Sequence, residues 1–303
     1  MNDKKKINIK KIFFVFIILG VIIGIILFFN NKSKIINSKI ENTISHINET
    51  SEEKREESVV SEEKKEEVII PEKTELEKRL ENGKYLSDRG LPILMYHFFY
   101  DKNVKEGKDG NWIEISNFEQ QMKYLSENDF YFPTWEEVEA YIDGKTELPE
   151  KSVVITVDDG DPSFFELAVP IIQKYNIQAT SFVITYWYGD VAENKEKNIN
   201  YQSHSYDMHK SGANGKGVML SWSYEKIVED LKASQDVLGG SNIFCYPFGQ
   251  YNELDIKALK DTGFKLALTT EGGRVQKGES KYELPRVRVD KSTGIEAFKK
   301  KVE

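Results

Sequence analysis

The stretch Ser152-Val153-Val154-Ile155-Thr156-Val157-Asp158-Asp159-Gly160 joins an apolar run to two consecutive carboxylates. A run rich in Val and Ile that stops at an Asp-Gly pair is typical of a buried strand ending in a turn. An Asp-Gly pair alone usually marks nothing more than a turn. In α/β folds, however, functional side chains follow the carboxyl ends of the strands. The stretch therefore predicts Asp158 and Asp159 at such an end, with a helix beginning at Asp161-Pro162.

Outward from this strand, apolar runs alternate with amphipathic stretches. The other predicted strands are 93–96, 181–184, 243–246, 266–269 and 287–289. Capping-box pairs at Ser116/Glu119 and Thr134/Glu137, and the stretches 223–238 and 254–262, predict helices between them. This alternation favours a parallel α/β fold. The region 89–303 is long enough for one substantial core.

The first 88 residues have a different composition. Residues 12–29 form an apolar run of 18, about 27 Å as a helix, and five lysines precede it within residues 1–11. We expect a membrane anchor over 12–29, with 1–11 cytoplasmic and the rest of the chain outside the cell, at the membrane. A cleaved signal peptide is the alternative, but residues 28–31 offer no small-x-small cleavage site.

Residues 30–88 are predicted to be a disordered charged linker. They are rich in Lys, Glu, Ser and Asn, as in SEEKREESVVSEEKKEE at 51–67, and cannot bury enough apolar surface to fold alone. A tether through a cell wall or periplasm is the simplest role. The net charge of -8 argues against a nucleic-acid partner, and no protein partner can be deduced. Cys245 is the chain's one cysteine, which excludes an intramolecular disulfide and indicates a buried core residue.

The histidines are distributed unevenly. Of four, only His46 lies in the linker, whereas His204 and His209 are five residues apart and His97 follows a predicted strand. Asp and neutral His are ligands that suit zinc and similar ions, and three protein ligands leave a position open for water. A second carboxylate beside that water is suited to act as its base. The residues therefore predict metal-assisted hydrolysis, although two histidines on a solvated loop are the simpler alternative.

Four segments, in this order, resemble the motifs of polysaccharide deacetylases with the NodB homology domain, carbohydrate esterase family 4. They are Thr156 to Gly160, His204 to His209, Tyr246-Pro247-Phe248-Gly249 and Leu284-Pro285-Arg286. The His-x-x-x-x-His spacing and Leu94-Met95-Tyr96-His97 are most similar to the branch acting on poly-β-1,6-N-acetylglucosamine. The resemblance covers residues 91–290 and implies a distorted (β/α)7 barrel.

The resemblance also implies roles. Asp158 would be the general base, and Asp159, His204 and His209 the ligands of one divalent ion, Zn²⁺ first, with Co²⁺, Ni²⁺, Fe²⁺ or Mn²⁺ as alternatives. The family's late histidine is absent after His209, so His97 would be the general acid, as in the biofilm-polymer branch; a core histidine is the alternative.

Other positions depart from the family pattern. Cys245 lies in Phe-Cys-Tyr before Pro247, where many relatives carry an arginine that positions the base. Arg286 would hold a carboxylate or the substrate, or form only a structural ion pair. Tyr246, Pro247 and Asp207 are candidates for support, Asp207 either orienting a ligand histidine or capping a turn.

The sequence thus predicts a metal-dependent N-deacetylase of an extracellular N-acetylglucosamine polymer, with poly-N-acetylglucosamine favoured. Peptidoglycan N-deacetylation, O-acetyl esterase activity on xylan or capsule, and a non-catalytic glycan-binding module are the alternatives.

Overall fold

The structure, a computed structural model, describes residues 73–86, 88–212 and 215–303. The predicted cytoplasmic segment 1–11, the predicted anchor 12–29 and the linker as far as residue 72 lie outside these ranges. Among the described residues, no helix combines the length and the apolar composition needed to cross a membrane.

Seven parallel strands close into a barrel in the order β1-β4-β5-β6-β7-β8-β9. They are β1 Ile93–Tyr96, β4 Val154–Val157, β5 Ala179–Val183, β6 Ile199–Ser203, β7 Ile243–Cys245, β8 Leu266–Gly272 and β9 Leu284–Arg288. A separate parallel pair, β2 Phe98–Tyr100 and β3 Trp112–Glu114, follows β1. The α/β alternation and the barrel expected from the sequence are both present.

Helices connect the strands. They are α1 Glu75–Leu80, α2 Ile115–Glu127, α3 Trp135–Ile142, α4 Val169–Lys174, α5 Thr185–Tyr188, α6 Tyr224–Leu238, α7 Glu253–Asp261 and α8 Ile295–Val302. Residues 162 and 163 are helical, as Asp161-Pro162 predicted, and a π-helical turn, Phe164–Ala168, leads from them into α4.

Alternate residues of β1 and β4 belong to two different apolar clusters, because side chains of a strand point to opposite faces. Ile93 and Val154 pack inside the barrel with Phe182 and with Trp135 of α3. Their neighbours Leu94 and Ile155 pack outward beneath α2, α4 and α8. Apolar side chains therefore fill the inside of the barrel.

Helix starts match the sequence with one exception. Thr134 forms the predicted capping box with Glu137. The predicted cap at Ser116 is wrong, because α2 begins at Ile115 with Glu114 as its N-cap. The Glu114 carboxylate accepts the N–H groups of Ser116 and Asn117 at 3.0 and 3.2 Å, and the Ser116 hydroxyl donates to it as well. A charged acceptor at the end of β3 therefore replaces the serine hydroxyl as the cap.

The fold begins earlier than the sequence indicated, which corrects the predicted boundary at residue 89. Leu76 of α1 and Leu86 pack against the interior cluster, and Arg79 donates to the Asp129 carboxylate at 2.8 Å. The Leu86 N–H donates to the carbonyl of Leu148 at 2.7 Å, just before β4. Two leucines and one ion pair thus fix the end of the charged segment to the amino-terminal face of the barrel.

Candidate active site

The predicted site residues meet at the carboxyl ends of the barrel strands. His97 follows β1, Asp158 and Asp159 follow β4, and His204 follows β6. The Asp158 N–H donates to the carbonyl of Tyr96 at 3.0 Å, which continues the pairing of β1 with β4 to the site. Residues more than 40 positions apart in sequence are therefore placed together by parallel strand pairing alone.

A left-handed turn orients the two carboxylates. Asp159 and Gly160 both have φ of 77°, a region that Gly adopts freely and Asp tolerates better than most residues. A Cβ at Gly160 would lie 3.0 Å from a methyl group of Val183 on β5. The turn also lets the carbonyl of Asp159 accept the Ile184 N–H at 3.2 Å. The backbone of this turn thus favours the Asp159-Gly160 pair.

Asp159, His204 and His209 have the geometry of a metal site. The Asp159 Oδ1 lies 3.4 Å from the His204 Nε2 and 3.5 Å from the His209 Nε2. Two ligands each about 2.1 Å from a tetrahedral zinc ion are about 3.4 Å apart. Moreover, this Oδ1 is buried and has no hydrogen-bond partner in the described part of the chain. An uncompensated buried carboxylate oxygen between two imidazoles is explained by a cation, so the three residues fit a divalent ion.

The hydrogen bonds and the pKa values of the two histidines bear on how they could bind such an ion. The Nδ1 of His204 is 2.7 Å from the carbonyl of Cys245, to which it can donate, and this leaves Nε2 free to bind a metal. Burial and the charge of His204 lower the pKa of His209 to about 4, so His209 is neutral at neutral pH. Burial lowers the pKa of His204, but the interactions with Cys245 and with the carboxylates of Asp159 and Asp158 outweigh it and raise this pKa above its usual range.

Asp158 is held by Arg286. The two guanidinium NH groups donate to the two carboxylate oxygens, each at 2.8 Å, and both side chains are fully enclosed. The Arg286 Nε donates to the carbonyl of Thr269 at 2.8 Å, and its Nη1 donates to the Thr156 hydroxyl at 3.1 Å. Arg286 is thus fixed from three directions and fixes Asp158 in turn.

This pairing controls the charge on Asp158. Burial alone would raise the pKa of the Asp158 carboxyl, but the charge and hydrogen bonds of Arg286 outweigh it and hold the pKa well below its usual range. The Nε2 of His97 lies 3.7 Å from the Asp158 Oδ2. Burial lowers the pKa of His97 more than the neighbouring carboxylates raise it.

The support residues lie apart from the reacting groups. Tyr246 is fully buried, and its hydroxyl donates to the carbonyl of Tyr282 at 3.0 Å. Pro247 is buried at the start of a 3₁₀ turn. The Asp207 carboxylate accepts from Lys210 at 2.6 Å. The hydrogen bonds of Tyr246 and Asp207 thus go to residues outside the predicted site, and among the described residues the Asp207 carboxylate makes no hydrogen bond to a ligand histidine.

A cleft of about 540 Å³ lies next to the three candidate metal ligands, and Asp159 and His209 are in its lining. Aromatic side chains form its walls: Phe98 and Trp112 on one side, Trp187 and Tyr188 on another, and Phe248 beside His209. Trp187 and Phe248 are 47% and 41% exposed, so large apolar faces remain open in the cleft.

Two features of the site had no usable sequence signal. The Cys245 thiol lies 3.2 Å from the Arg286 guanidinium and 3.6 Å from the Asp158 Oδ2, so this buried cysteine contacts both members of the ion pair. Phe248 has a φ of 60°, and its ring centre lies 4.3 Å from that of His209 with the planes tilted by 39°. Its position after Pro247 and before Gly249 indicated a turn, but not the direction of the ring.

Comparisons with known proteins agree with this site. The family described as polysaccharide deacetylase matches residues 145–267. The poly-beta-1,6-N-acetyl-D-glucosamine N-deacetylase of Staphylococcus aureus (strain MRSA252) is 30% identical over 219 residues, which cover 65% of this chain and 73% of that protein. The putative polysaccharide deacetylase YxkH of Bacillus subtilis (strain 168) is also 30% identical, over 69% of this chain and 74% of that protein.

Solved structures have the same fold. The Streptococcus pyogenes deacetylase PplD, in complex with acetate, superposes with a TM-score of 0.61 at 24% identity, over 72% of this chain and 100% of that one. IcaB from Ammonifex degensii superposes with a TM-score of 0.59 at 25% identity, over 71% of this chain and 97% of that one. Sequence identity, the barrel and the Asp/His site together place this chain in the polysaccharide deacetylase family, whose members are metal-dependent hydrolases.

Proposed function

We propose that this protein removes N-acetyl groups from an extracellular poly-N-acetylglucosamine and releases acetate. The observation that carries the proposal is the cluster of Asp159, His204 and His209 beside the paired Asp158, at the floor of an aromatic cleft. A poly-β-1,6-linked polymer is favoured because the S. aureus relative is named for that substrate. The aromatic walls support a sugar substrate, since aromatic faces pack against the apolar faces of sugar rings.

Asp159, His204 and His209 would hold the metal, for which Zn²⁺ is our first choice and Co²⁺, Ni²⁺, Fe²⁺ or Mn²⁺ the alternatives. A divalent ion there would lower the pKa of a water molecule and polarise the acetamide carbonyl. The ligand set of one carboxylate and two imidazoles suits these ions better than Mg²⁺ or Ca²⁺, which prefer oxygen ligands.

Asp158 would accept the proton of the attacking water. Its low pKa keeps it ionised at neutral pH, where it is available as a proton acceptor. The same low pKa makes it a weak base, and it can therefore act only on an acidified water. Arg286 holds both carboxylate oxygens and fixes the direction from which the proton is taken.

His97 would protonate the leaving amine. Its Nε2 lies 3.7 Å from the Asp158 Oδ2, and its side chain, which follows β1, is only 15% exposed. Asp158 would thus accept a proton from the attacking water, and His97, beside it, would donate a proton to the leaving nitrogen. The leaving nitrogen departs as an amine, and the polymer keeps a glucosamine unit.

We also propose that residues 12–29 anchor the protein in the cell membrane with the barrel outside the cell. The proposal rests on the apolar run and its lysine flank. An extracellular polymer requires the catalytic domain on that side of the membrane.

The test is acetate release by the full-length chain from β-1,6 and β-1,4 N-acetylglucosamine oligomers and from peptidoglycan. We expect release that a chelator abolishes and added zinc restores, greatest on the β-1,6 oligomers. Asp158→Asn should bind metal and lose nearly all release, whereas His204→Ala should lose both. Metal binding with no acetate from any of these substrates would exclude the proposed activity, and faster release from peptidoglycan would exclude the proposed substrate.

A further inference from the structure

The loop that carries two of the three metal ligands has little regular structure of its own. Between His204 and His209 the chain leaves β6 through Ser205, whose φ is 77°. The Ser205 hydroxyl accepts the Met208 N–H at 3.2 Å, and the carbonyls of Ser205 and Tyr206 accept N–H groups from α5. A fixed distance between the two imidazoles therefore depends on what holds the peptide groups from outside the loop.

Helix α6 supplies that support from two successive turns. Asp230 and Ser234 lie four residues apart, so both face the loop, and both are buried. The Asp230 Oδ1 accepts the Tyr206 N–H at 2.7 Å, and its Oδ2 accepts the Asp207 N–H at 2.8 Å. The Ser234 hydroxyl lies 2.5 Å from the Ser203 hydroxyl, which accepts the Ser205 N–H at 3.1 Å.

We propose that Asp230 is a positioning residue that sets the separation of His204 and His209. The inference rests on the proposed function, because it assigns a role toward the metal held by those histidines. The Asp230 carboxylate accepts the N–H groups of Tyr206 and Asp207, which both lie between His204 and His209 in the loop. Neither histidine touches it, so its effect on the metal passes through the backbone.

The chemistry of the contact requires a carboxylate. Two consecutive N–H groups point at the same side chain, and a carboxylate can accept both, one at each oxygen. An asparagine accepts only one and turns an NH₂ group toward the other N–H. The loop of an Asp230→Asn variant therefore has to rotate one peptide, which moves one imidazole relative to the other.

The experiment compares full-length wild type with Asp230→Asn, Asp230→Ala and the control Glu229→Gln, which removes an exposed charge from the adjacent position on α6. Zn²⁺ affinity is measured by competition with a chromophoric chelator, and the Co²⁺ form gives a visible spectrum that reports ligand geometry. We expect both Asp230 variants to bind Zn²⁺ about 10 to 100 times more weakly, with an altered Co²⁺ spectrum, and the control to match wild type. Saturating Zn²⁺ should restore part of the acetate release of Asp230→Asn.

Thermal unfolding of the metal-free variants separates positioning from folding. If Asp230→Asn unfolds at a lower temperature but keeps wild-type Zn²⁺ affinity and Co²⁺ spectrum, Asp230 only stabilises the fold and the inference is wrong. If Asp230→Ala does not fold, the asparagine variant still decides. A wild type that binds no Zn²⁺ or Co²⁺ would instead overturn the proposed function, and the inference with it.

Discussion

The ion pair of Asp158 and Arg286 is one of the arrangements that the sequence left open for Arg286. Many relatives place the arginine that supports the base where this chain has Cys245. Here the guanidinium comes from β9, and its Nη2 lies 3.2 Å from the Cys245 Sγ, in the space that the smaller side chain leaves. The carboxylate is held by two parallel hydrogen bonds, the strongest arrangement available to such a pair. The departure from the motif therefore does not indicate a lost activity.

Replacing Arg286 with methionine tests this support. A buried carboxylate without its partner costs about 3–5 kcal/mol of unfolding free energy. Only His97 and His204 then oppose the effect of burial, so the pKa of Asp158 rises, and acetate release should fail as the pH decreases through that higher pKa, whereas the wild type keeps Asp158 ionised. Chemical denaturation and the pH dependence of kcat/KM measure the two effects. Arg288→Met, at an exposed position of the same strand, is the control, and an unchanged acid limb in Arg286→Met would refute the role.

His97 gives a second prediction at this scale. A general acid must be protonated, so release should fall as the pH rises through the pKa of His97, which burial places below that of a free histidine. His97→Ala should bind metal normally, slow release by about 10² to 10⁴ and lose this alkaline limb. The pH profile of kcat/KM is the measurement, with His46→Ala as the control. A limb that persists in His97→Ala would leave His97 as a packing residue.

At the scale of elements, the barrel strand that the sequence did not predict is held to its neighbour by a side chain. β6, Ile199–Ser203, has no apolar run, and its register with β7 is limited to Ser203 with Phe244. The Oε1 of Gln202 accepts from the Ser241 hydroxyl at 2.7 Å and from the N–H groups of Asn242 and Ile243 at 3.2 and 3.1 Å. The side-chain oxygen of Gln202 thus supplies hydrogen bonds toward β7 where few backbone groups of the two strands pair. Periodicity cannot reveal this, because a buried glutamine resembles an exposed one in sequence.

Gln202→Leu should therefore open the barrel between β6 and β7. The substitution keeps the approximate volume but leaves buried donors without an acceptor, at a cost of about 2–4 kcal/mol. Denaturant unfolding measures the loss. Metal affinity should fall as well, because His204 follows β6 directly. Gln178→Leu, exposed just before β5, is the control. Equal stability of the two variants would show that the amide is not needed for closure.

At the scale of the whole molecule, the sequence predicts best what is local. The strand before Asp158 and the capping box at Thr134 are encoded within a few neighbouring residues and are confirmed. The pairing of Asp158 with Arg286 spans 128 positions and follows from closure of the barrel between β1 and β9, which no local pattern specifies. The early start of the fold was missed for a related reason. Leu76 and Leu86 are isolated in a charged segment, and only the barrel provides the surface that they cover.

That early start leads to a prediction about truncation. Residues 73–86 contact the amino-terminal face of the barrel, whereas the candidate site lies at the carboxyl ends of the strands. A chain starting at residue 89 loses two packed leucines and the pair of Arg79 with Asp129, about 2–4 kcal/mol of unfolding free energy. We therefore expect 89–303 to melt several degrees below 73–303, with equal metal affinity and equal acetate release at low temperature. Equal melting temperatures would mean that α1 adds nothing to the barrel. A loss of metal affinity in 89–303 would mean instead that the two ends of the barrel are coupled.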